Sequence, residues 1–336
     1  MILVTGGTGL GGSHLLAELS KSDSKIRAIY RSEKSLEKTK LVFKALQVEN
    51  QFAKIEWFKA DLEDYFDLEK AFEGVEFIYH AAAKVSFAAK DVDDLMKTNI
   101  DGTTNLVNLA LDNKVKKFCY VSSVASLGSY PNGKATDEEA LWQMNKNTSN
   151  YSVSKYYAEN EVWRASEEGL DVVIVNPATI IGFGDWNDSS STIVKKVYDG
   201  LKFYPSGGNG FVSVNDVVKA MMLIMQNDIK NERYILVNEN LKFIELFTKL
   251  AKAFEKAPPQ KLISKQVAQV GIYLEKLRSI FTGNPPILTK ESIDTAYRIK
   301  SYSNQKIKQE LNFEFENFDT SLQKTCQYYL DYQIEN

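Results

Sequence analysis

The sequence predicts an α/β protein, a doubly wound parallel β-sheet with a smaller, mostly helical C-terminal lobe. Short runs of β-forming residues alternate with helix-like stretches, as in a sheet that carries helices on both faces. Several of these runs are apolar without alternation, which is typical of strands buried on both sides. With 336 residues, 44% of them hydrophobic, the chain can bury a full core.

Seven strands are predicted from these runs. In chain order they are Ile2–Thr5, Ile26–Tyr30, Ile55–Lys59, Phe77–His80, Lys117–Ser122, Val172–Asn176 and Arg233–Val237. After Pro177 the alternation weakens, and helical patterns dominate beyond Asn238. We therefore expect a sheet domain of residues 1–180, continued by 211–238, and a lobe made of residues 181–210 and 239–336.

One predicted helix of the lobe, residues 262–281, has an apolar face. Its apolar residues step by four and three, which is the period of a helix. They are Ile263, Val267, Val270, Leu274, Leu277 and Phe281. We expect this face to pack on the lobe itself; a lid, a subunit contact and a membrane-surface face are the alternatives.

Composition and charge exclude several classes of function. A net charge of −3, with both signs mixed along the chain, offers no basic face to nucleic acid. Two distant cysteines and two histidines give neither a disulfide framework nor a metal site. We expect His80 to pack at a strand end and His14 to be structural or at the surface. Without a secretion signal or an apolar run of about 18 residues, the chain is expected in the cytoplasm.

A glycine-rich turn follows the first predicted strand. In VTGGTGLGG, three glycines (Gly6, Gly9 and Gly12) follow a strand and open a helix within a unit of about 30 residues. In such a unit the first glycine permits the tight turn, the second lets the backbone approach a pyrophosphate and the third lets the helix pack closely on the strand. The turn predicts a dinucleotide-binding Rossmann domain; a merely structural loop is the alternative.

The residues after the second strand bear on which dinucleotide binds. An acidic residue there would accept hydrogen bonds from the ribose hydroxyls of NAD. The sequence instead places Arg31 and Ser32 at this point, and a guanidinium suits a 2′-phosphate. We therefore expect NADP(H) in preference to NAD(H), with Glu33 as the acid if the strand ends later.

A tyrosine and a lysine four residues apart, Tyr151 and Lys155, share one face of a predicted helix. Two serines, Ser122 and Ser123, end the preceding strand. A phenol pKa of about 10 is too high for proton exchange near neutrality, and a nearby ammonium with a positive nicotinamide ring would lower it. Alone, such a pair is usually an exposed helical face. Beside the glycine turn and the serines, it indicates an active site.

These motifs resemble the extended short-chain dehydrogenases/reductases, the NAD-dependent epimerase/dehydratase family. TGGTGLGG is similar to the TGxxGxxG motif of the family, ADLED carries its Asp-Leu pair beside the adenine, and YHAAAKVSF matches its HxAA strand end. TNIDGTTNLV resembles a segment whose asparagine helps to build the active site, and NPATIIGFGD resembles the segment near the nicotinamide. IRAIYRSEKS and TDEEALW are similar to the branch of dihydroflavonol reductases and 3β-hydroxysteroid dehydrogenases.

The resemblance implies roles for individual residues. Tyr151 would exchange the proton at the substrate oxygen, and Lys155 would hold the nicotinamide ribose and lower the pKa of the tyrosine. Ser123, with Ser122 in reserve, would donate to the carbonyl. Asn99 would complete the catalytic set, although a helix-interior asparagine often bonds only to backbone. The implied cofactor-binding residues are Gly6, Thr8, Gly9, Leu10, Gly12, Arg31, Asp61, Leu62, Ala81, Ala82, Ala83, Tyr151, Lys155, Pro177 and Ile180.

The expected function is NADP(H)-dependent reduction of a carbonyl, or oxidation of the alcohol, in a small and moderately apolar substrate. Dehydration is disfavoured because Val124 and Ala125 stand where sugar-nucleotide 4,6-dehydratases have an Asp-Glu pair. An NAD-dependent sugar-nucleotide epimerase and a non-catalytic nucleotide-binding or scaffold protein are the alternatives. Many relatives pair through the helix of Tyr151 and the helix near residues 91–112, so we expect a homodimer.

Overall fold

The fold is taken from a computed structural model that describes residues 1–146, 148–187, 190–272 and 289–332. Within these ranges the strands are β1 (Ile2–Thr5), β2 (Ile26–Tyr30), β3 (Ile55–Lys59), β4 (Phe77–His80), β5 (Lys117–Val121), β6 (Val172–Pro177), β7 (Thr179–Ile181), β8 (Phe203–Tyr204), β9 (Gly208–Ser213), β10 (Glu232–Leu236), β11 (Glu239–Lys242) and β12 (Lys261–Leu262).

The central sheet contains seven parallel strands in the order β10-β6-β5-β4-β1-β2-β3. The expected fold class is therefore confirmed. The first four strands have the bounds that the sequence predicts; β5 and β6 differ by one residue at their C-terminal end, and β10 is displaced by one residue at both ends. Strand order reverses between β1 and β4, because the chain fills one half of the sheet outward from β1 before it begins the other. In sheets of this type, ligands bind at that reversal.

Helices cover both faces of the sheet. Their bounds are α1 (Leu10–Leu19), α2 (Glu33–Ala45), α3 (Tyr65–Ala71), α4 (Val92–Met96), α5 (Gly102–Asp112), α6 (Asn150–Glu167), α7 (Ser191–Tyr198), α8 (Val214–Gln226) and α9 (Phe243–Ala253). On one face, Leu16 of α1 and Met221 of α8 belong to a buried apolar cluster. On the other face, Leu68, Leu106 and Val162 of α3, α5 and α6 belong to a second cluster. None of the described helices is long and apolar enough to cross a membrane.

The remaining strands and the later helices form the C-terminal part of the fold. β7, β9 and β11 make a three-stranded sheet, and β8 pairs with β12. The helices Lys290–Ala296, Gln305–Leu311 and Phe318–Asp331 follow. Trp186, Phe211, Leu250 and Cys326 pack into one buried cluster between these elements. The strands β11 and β12 were not predicted individually in this part of the chain, where helical patterns dominate.

The apolar face expected on helix 262–281 is not buried where the structure describes it. The chain is helical from residue 265 to residue 272, after the short strand β12. Val267 is 59% exposed and Val270 is 60% exposed, so the expectation that they pack on the lobe is wrong. Leu274, Leu277 and Phe281 lie outside the described residues.

The turn between β1 and α1 depends on contact between backbones. Gly6 has φ +70°, and a Cβ there would lie 2.4 Å from the backbone nitrogen of Ala82. A Cβ on Gly12 would lie 2.1 Å from the carbonyl oxygen of Gly6. Both positions therefore need glycine for space, and Gly6 needs it for its left-handed conformation as well.

Gly12→Ala is expected to lower the free energy of unfolding by about 1–3 kcal/mol, because the new methyl group must push the turn away from the helix. Gly11→Ala, one position earlier on the same helix, is the control, since nothing lies within 4 Å of a Cβ there. That change is expected to be neutral or to stabilise by about 0.5–1 kcal/mol. Urea denaturation measures both, and equal stability of the two variants would contradict the packing described.

Candidate active site

A cavity of about 310 Å³ lies where the carboxyl ends of four central strands meet. Its walls come from the segments that follow β1, β2, β3 and β4, at the reversal of strand order. The expected cofactor residues that line it are Gly6, Thr8, Gly9, Leu10, Arg31, Asp61, Leu62, Ala81, Ala82 and Ala83. The location is the one that a doubly wound sheet gives to a dinucleotide.

The start of α1 fits a pyrophosphate. The helix begins at Leu10, and no side chain caps its first turn at Gly9. The first backbone N–H groups of a helix lack partners within the helix and attract an anion. A Cβ on Gly9 would meet only the carbonyl oxygen of Gly6, at an ordinary 3.4 Å. No protein atom therefore demands glycine at this position, whereas the close approach of an anion does.

Positive and hydroxyl groups line the cavity after β2. This strand ends at Tyr30, and Arg31, Ser32, Ser35 and Lys38 all contribute to the wall. Arg31 is exposed and forms no ion pair with any described residue. These side chains form a cluster of donors that suits a phosphate group.

Glu33, the acid that could have bound the ribose of NAD, lies outside the cavity wall. It begins α2, and its carboxylate accepts a hydrogen bond from the Tyr30 hydroxyl at 2.9 Å. Glu33 does not line the cavity, so the strand ends where the sequence analysis placed its end.

The last wall of the cavity comes from the segment after β7. Gly184, Asp185 and Ser191 line it, and the Asp185 carboxylate forms an ion pair with Lys38 of α2. This ion pair joins residues that lie far apart in the sequence. Gly184 and Asp185 end the segment NPATIIGFGD, which the resemblance places near the nicotinamide, but neither they nor Ser191 were named as individual site residues.

Asn99 is buried in a π-helical turn, Lys97–Asp101, between α4 and α5. Its Oδ1 accepts the backbone N–H of Lys84 at 2.7 Å, and its Nδ2 donates to the Lys84 carbonyl at 3.0 Å. The same Nδ2 donates to the hydroxyl of Ser154 in α6 at 2.9 Å. Asn99 therefore fastens the segment after β4, which lines the cavity, to the helix that carries Tyr151.

The two serines after β5 have different surroundings. Ser122 is buried, and its hydroxyl donates to the Glu159 carboxylate at 2.5 Å. Ser123 is half-buried, and its side chain lies beside the Tyr151 phenol. Its Oγ also accepts the backbone N–H of Ala125 at 3.1 Å. Of the two, Ser123 is the serine placed beside the tyrosine.

Tyr151 lies in the first turn of α6, where Ser149 caps the helix. The ring of Phe87 packs edge-on against the tyrosine, with ring centroids 6.2 Å apart. Burial raises the pKa of Tyr151 above its ordinary value, and the neighbouring Ser123 side chain acts in the opposite direction. Lys155 is not among the groups that shift this pKa, and its lowering by Lys155 together with a positive nicotinamide ring stays a prediction.

Lys155 is almost completely buried and faces β5. Its Nζ donates to the Tyr120 hydroxyl at 2.8 Å and to the Val121 carbonyl at 2.9 Å. An ammonium has three protons, so one is left for a further acceptor. Burial lowers the pKa of Lys155 to about 7, while Glu159, one turn later on α6, raises it.

Both histidines are structural. His80 is fully buried, with Nδ1 2.6 Å from the Thr5 hydroxyl and Nε2 2.9 Å from the Thr103 hydroxyl. His14 is also buried, and its Nε2 donates to the Phe183 carbonyl at 2.7 Å. Burial lowers the pKa of His80 to about 3 and that of His14 to about 4. The described residues contain no group of three metal-ligating side chains.

Some of the expected cofactor residues do not line the cavity. Gly12 is buried in α1, Pro177 ends β6 and Ile180 packs against the core. Tyr151 and Lys155 lie further along the sheet edge, beyond β4. The cavity therefore collects the residues expected for the adenosine and pyrophosphate part of a dinucleotide, while the residues expected for its nicotinamide part lie outside that cavity.

A sequence profile described as the NAD dependent epimerase/dehydratase family matches residues 2–237. The chain belongs to this family. The resemblance to the extended short-chain dehydrogenases/reductases is thereby confirmed, and the protein is an NAD(P)-dependent enzyme of that type.

Individual relatives agree with this assignment. The chain is 27% identical over 314 residues to a Synechocystis protein provisionally named a dihydroflavonol 4-reductase, with 92% of this chain and 88% of the relative covered. It is 30% identical over 276 residues to sterol demethylase protein B of Methylococcus capsulatus, with 82% and 80% covered. The fold matches UDP-glucose 4-epimerase of Thermotoga maritima, solved with UDP-glucose, at a TM-score of 0.77, 21% identity and 98% coverage of both chains.

The buried histidines predict a loss of stability in mild acid. A histidine with a lowered pKa stays neutral in the folded protein, while the unfolded chain takes up a proton below about pH 6.5. The free energy of unfolding should therefore fall with pH from about 6.5 towards the folded pKa, by up to about 1.4 kcal/mol per pH unit for each histidine.

His14→Gln removes one of these groups and keeps an N–H donor for the Phe183 carbonyl. Urea denaturation at several pH values between 7.5 and 5 is expected to show a smaller pH dependence in this variant than in the unchanged protein. Identical pH dependence in both proteins would show that His14 is not held neutral.

Proposed function

We propose that the protein is an NADP(H)-dependent oxidoreductase that reduces the carbonyl, or oxidises the alcohol, of a small and moderately apolar substrate. The observation that carries the proposal is that Tyr151 and the buried Lys155 share one face of α6, and that Lys155 donates to the carbonyl of Val121, two residues before Ser123. Ser123, Tyr151 and Lys155 lie at the same edge of the central sheet as the proposed dinucleotide cavity.

The preference for NADP(H) is supported by the donors after β2. Arg31, Ser32, Ser35 and Lys38 line the cavity together, where an NAD-binding site would present an acid to the ribose. The free guanidinium of Arg31 can form two parallel hydrogen bonds to a 2′-phosphate. Lys38 lies in the same wall, but its ammonium is paired with the Asp185 carboxylate, so Arg31 carries the unpaired positive charge among the described residues of this wall.

The chain supplies the proton chemistry, and the bound dinucleotide would supply or accept a hydride at its nicotinamide ring. The raised pKa of Tyr151 keeps its phenol protonated near neutrality, which suits a proton donor to a carbonyl oxygen. Ser123 would donate a second hydrogen bond to that oxygen. Lys155 would stabilise the phenolate left after proton transfer and bind the ribose with its remaining proton.

Apolar side chains beside Tyr151 support the substrate class. Phe87 contacts its ring, and Val85 on the same segment is 49% exposed. The names of the Synechocystis and Methylococcus relatives refer to a flavonoid and a sterol, which are both largely apolar ring compounds. These comparisons favour a carbonyl on an apolar ring system.

A sugar-nucleotide epimerase is the second candidate, because the fold matches the UDP-glucose 4-epimerase over 98% of both chains. An epimerase holds NAD through its cycle, so it would copurify with NAD and consume no NADPH. A panel of apolar ketones and aldehydes with NADPH, run beside UDP-sugars with NAD, separates the two functions. NADPH oxidation with any of the carbonyl compounds supports the reductase.

Tyr151→Phe is expected to lower kcat by about 10²–10⁴-fold, because it removes the proton donor and leaves the ring in place. The affinity for NADPH should be unchanged, as measured by fluorescence titration. Tyr157→Phe is the control on the same helix, since Tyr157 is 44% exposed. Normal turnover in the Tyr151 variant would remove the chemical basis of the proposal.

Arg31→Ala is expected to weaken NADPH binding by about 10–100-fold, because a charge-assisted hydrogen bond to the 2′-phosphate is lost. NADH binding should change little. Isothermal calorimetry with both nucleotides measures the difference, and Lys34→Ala is the control because Lys34 is exposed and does not line the cavity. Equal effects on both nucleotides would refute recognition of the phosphate by Arg31.

A further inference from the structure

A buried carboxylate, that of Glu159, lies close to the proposed catalytic residues Ser123, Tyr151 and Lys155. Glu159 is on α6, one helical turn beyond Lys155, and only 3% of its side chain is exposed. Its carboxylate accepts five hydrogen bonds from side chains on α6 and three other parts of the chain. The donors are Ser122 at 2.5 Å, Ser126 at 2.6 Å, Asn176 at 2.9 Å, Arg233 at 3.1 Å and Trp163 at 3.3 Å.

Two of these donors, Ser122 and Ser126, flank Ser123. Both of their hydroxyls donate to the same oxygen of Glu159, so one carboxylate holds both ends of the turn that presents Ser123. Asn176 of β6 donates to that oxygen and also to the Ser123 carbonyl at 3.2 Å. The position of the Ser123 hydroxyl therefore depends on a group that does not touch it.

The same carboxylate is the acid nearest in sequence to Lys155 on α6. The titratable groups facing Lys155 are Tyr120 of β5, His80 of β4, and Tyr151 and Glu159 of α6. His80 is held neutral and the two tyrosines are protonated near neutrality, so Glu159 supplies the negative charge among them. A negative charge favours the ammonium form of a buried lysine.

Arg233 of β10 balances the charge of Glu159 from the other side. Its guanidinium donates to the second carboxylate oxygen of Glu159 and also to the backbone carbonyl of Glu138. The Glu138 carboxylate accepts the backbone N–H of Ile235 at 2.8 Å, so it is held on the sheet. A buried carboxylate that is paired and fully hydrogen-bonded remains charged at a tolerable cost.

We propose that Glu159 is a positioning residue of the active site, which holds the turn that presents Ser123 and places a negative charge near Lys155 that favours the ammonium form of the lysine. The expected effect of Glu159 on turnover rests on the proposed function. Its expected effect on the charge of Lys155 can be measured through nucleotide binding alone, without any substrate.

Glu159→Gln tests the electrostatic part. Without the negative charge, Lys155 should lose its proton at a lower pH, and the fall in NADPH affinity with rising pH should move down by about 1–2 pH units. The affinity is measured by nucleotide fluorescence from pH 4.5 to pH 9, with NADH run in parallel. Glu167→Gln, which removes an exposed charge from the same helix, should leave the midpoint unchanged.

Glu159→Asp tests the geometric part. The shorter side chain keeps the charge but cannot reach all its donors, so we expect a midpoint near that of the unchanged protein with kcat lowered by about 10-fold or more. A Glu159→Gln midpoint equal to that of the unchanged protein would overturn the proposal, as would normal kcat in Glu159→Asp. If Glu159→Gln does not fold, the kcat of Glu159→Asp serves as the test, and a normal value overturns the proposal. Nucleotide binding without turnover of any carbonyl compound would contradict the proposed function alone.

Discussion

Contact between backbones at the glycine turn is the constraint on which the site depends. No side chain fits between Gly6 and Ala82, or between Gly12 and Gly6. The start of α1 is therefore pressed against both β1 and the segment after β4. Asn99 ties the far end of that segment to α6 through Lys84 and Ser154. The cavity lined by the glycine turn and the helix of Tyr151 are thus linked through direct contacts.

The interior beneath the active site carries ionised groups, and their arrangement has a cost. Burying Lys155 favours its neutral form, as its lowered pKa shows. Glu159 offsets this effect, and Arg233 with four hydrogen-bonding side chains satisfies Glu159 in turn. Tyr151 has no such compensation from a charged protein group. The protein therefore keeps a protonated phenol beside Ser123, on the same helix as a lysine whose pKa of about 7 lies near neutrality.

The predictions that succeeded depend on local pattern. The bounds of β1 to β4 follow from compact apolar runs between turn residues, and the glycine spacing marked the cavity floor. The short strand β11 (ENLK) was not predicted because its polar residues hide its pairing. The exposed Val267 and Val270 show the opposite error, since an apolar period indicates a helix face without indicating what covers it.

The sequence by itself determined the doubly wound sheet, the glycine turn, the Tyr-Lys pair and the basic residue after β2, because each is written in neighbouring residues with a fixed period or spacing. Only the tertiary structure decided that Ser123 and not Ser122 lies beside Tyr151, that Asp185 forms an ion pair with Lys38, and that Glu159 joins Ser122 to Arg233. These contacts span up to 147 positions in the chain. Desolvation and long-range pairing depend on which segments fold together, and no local spacing encodes that.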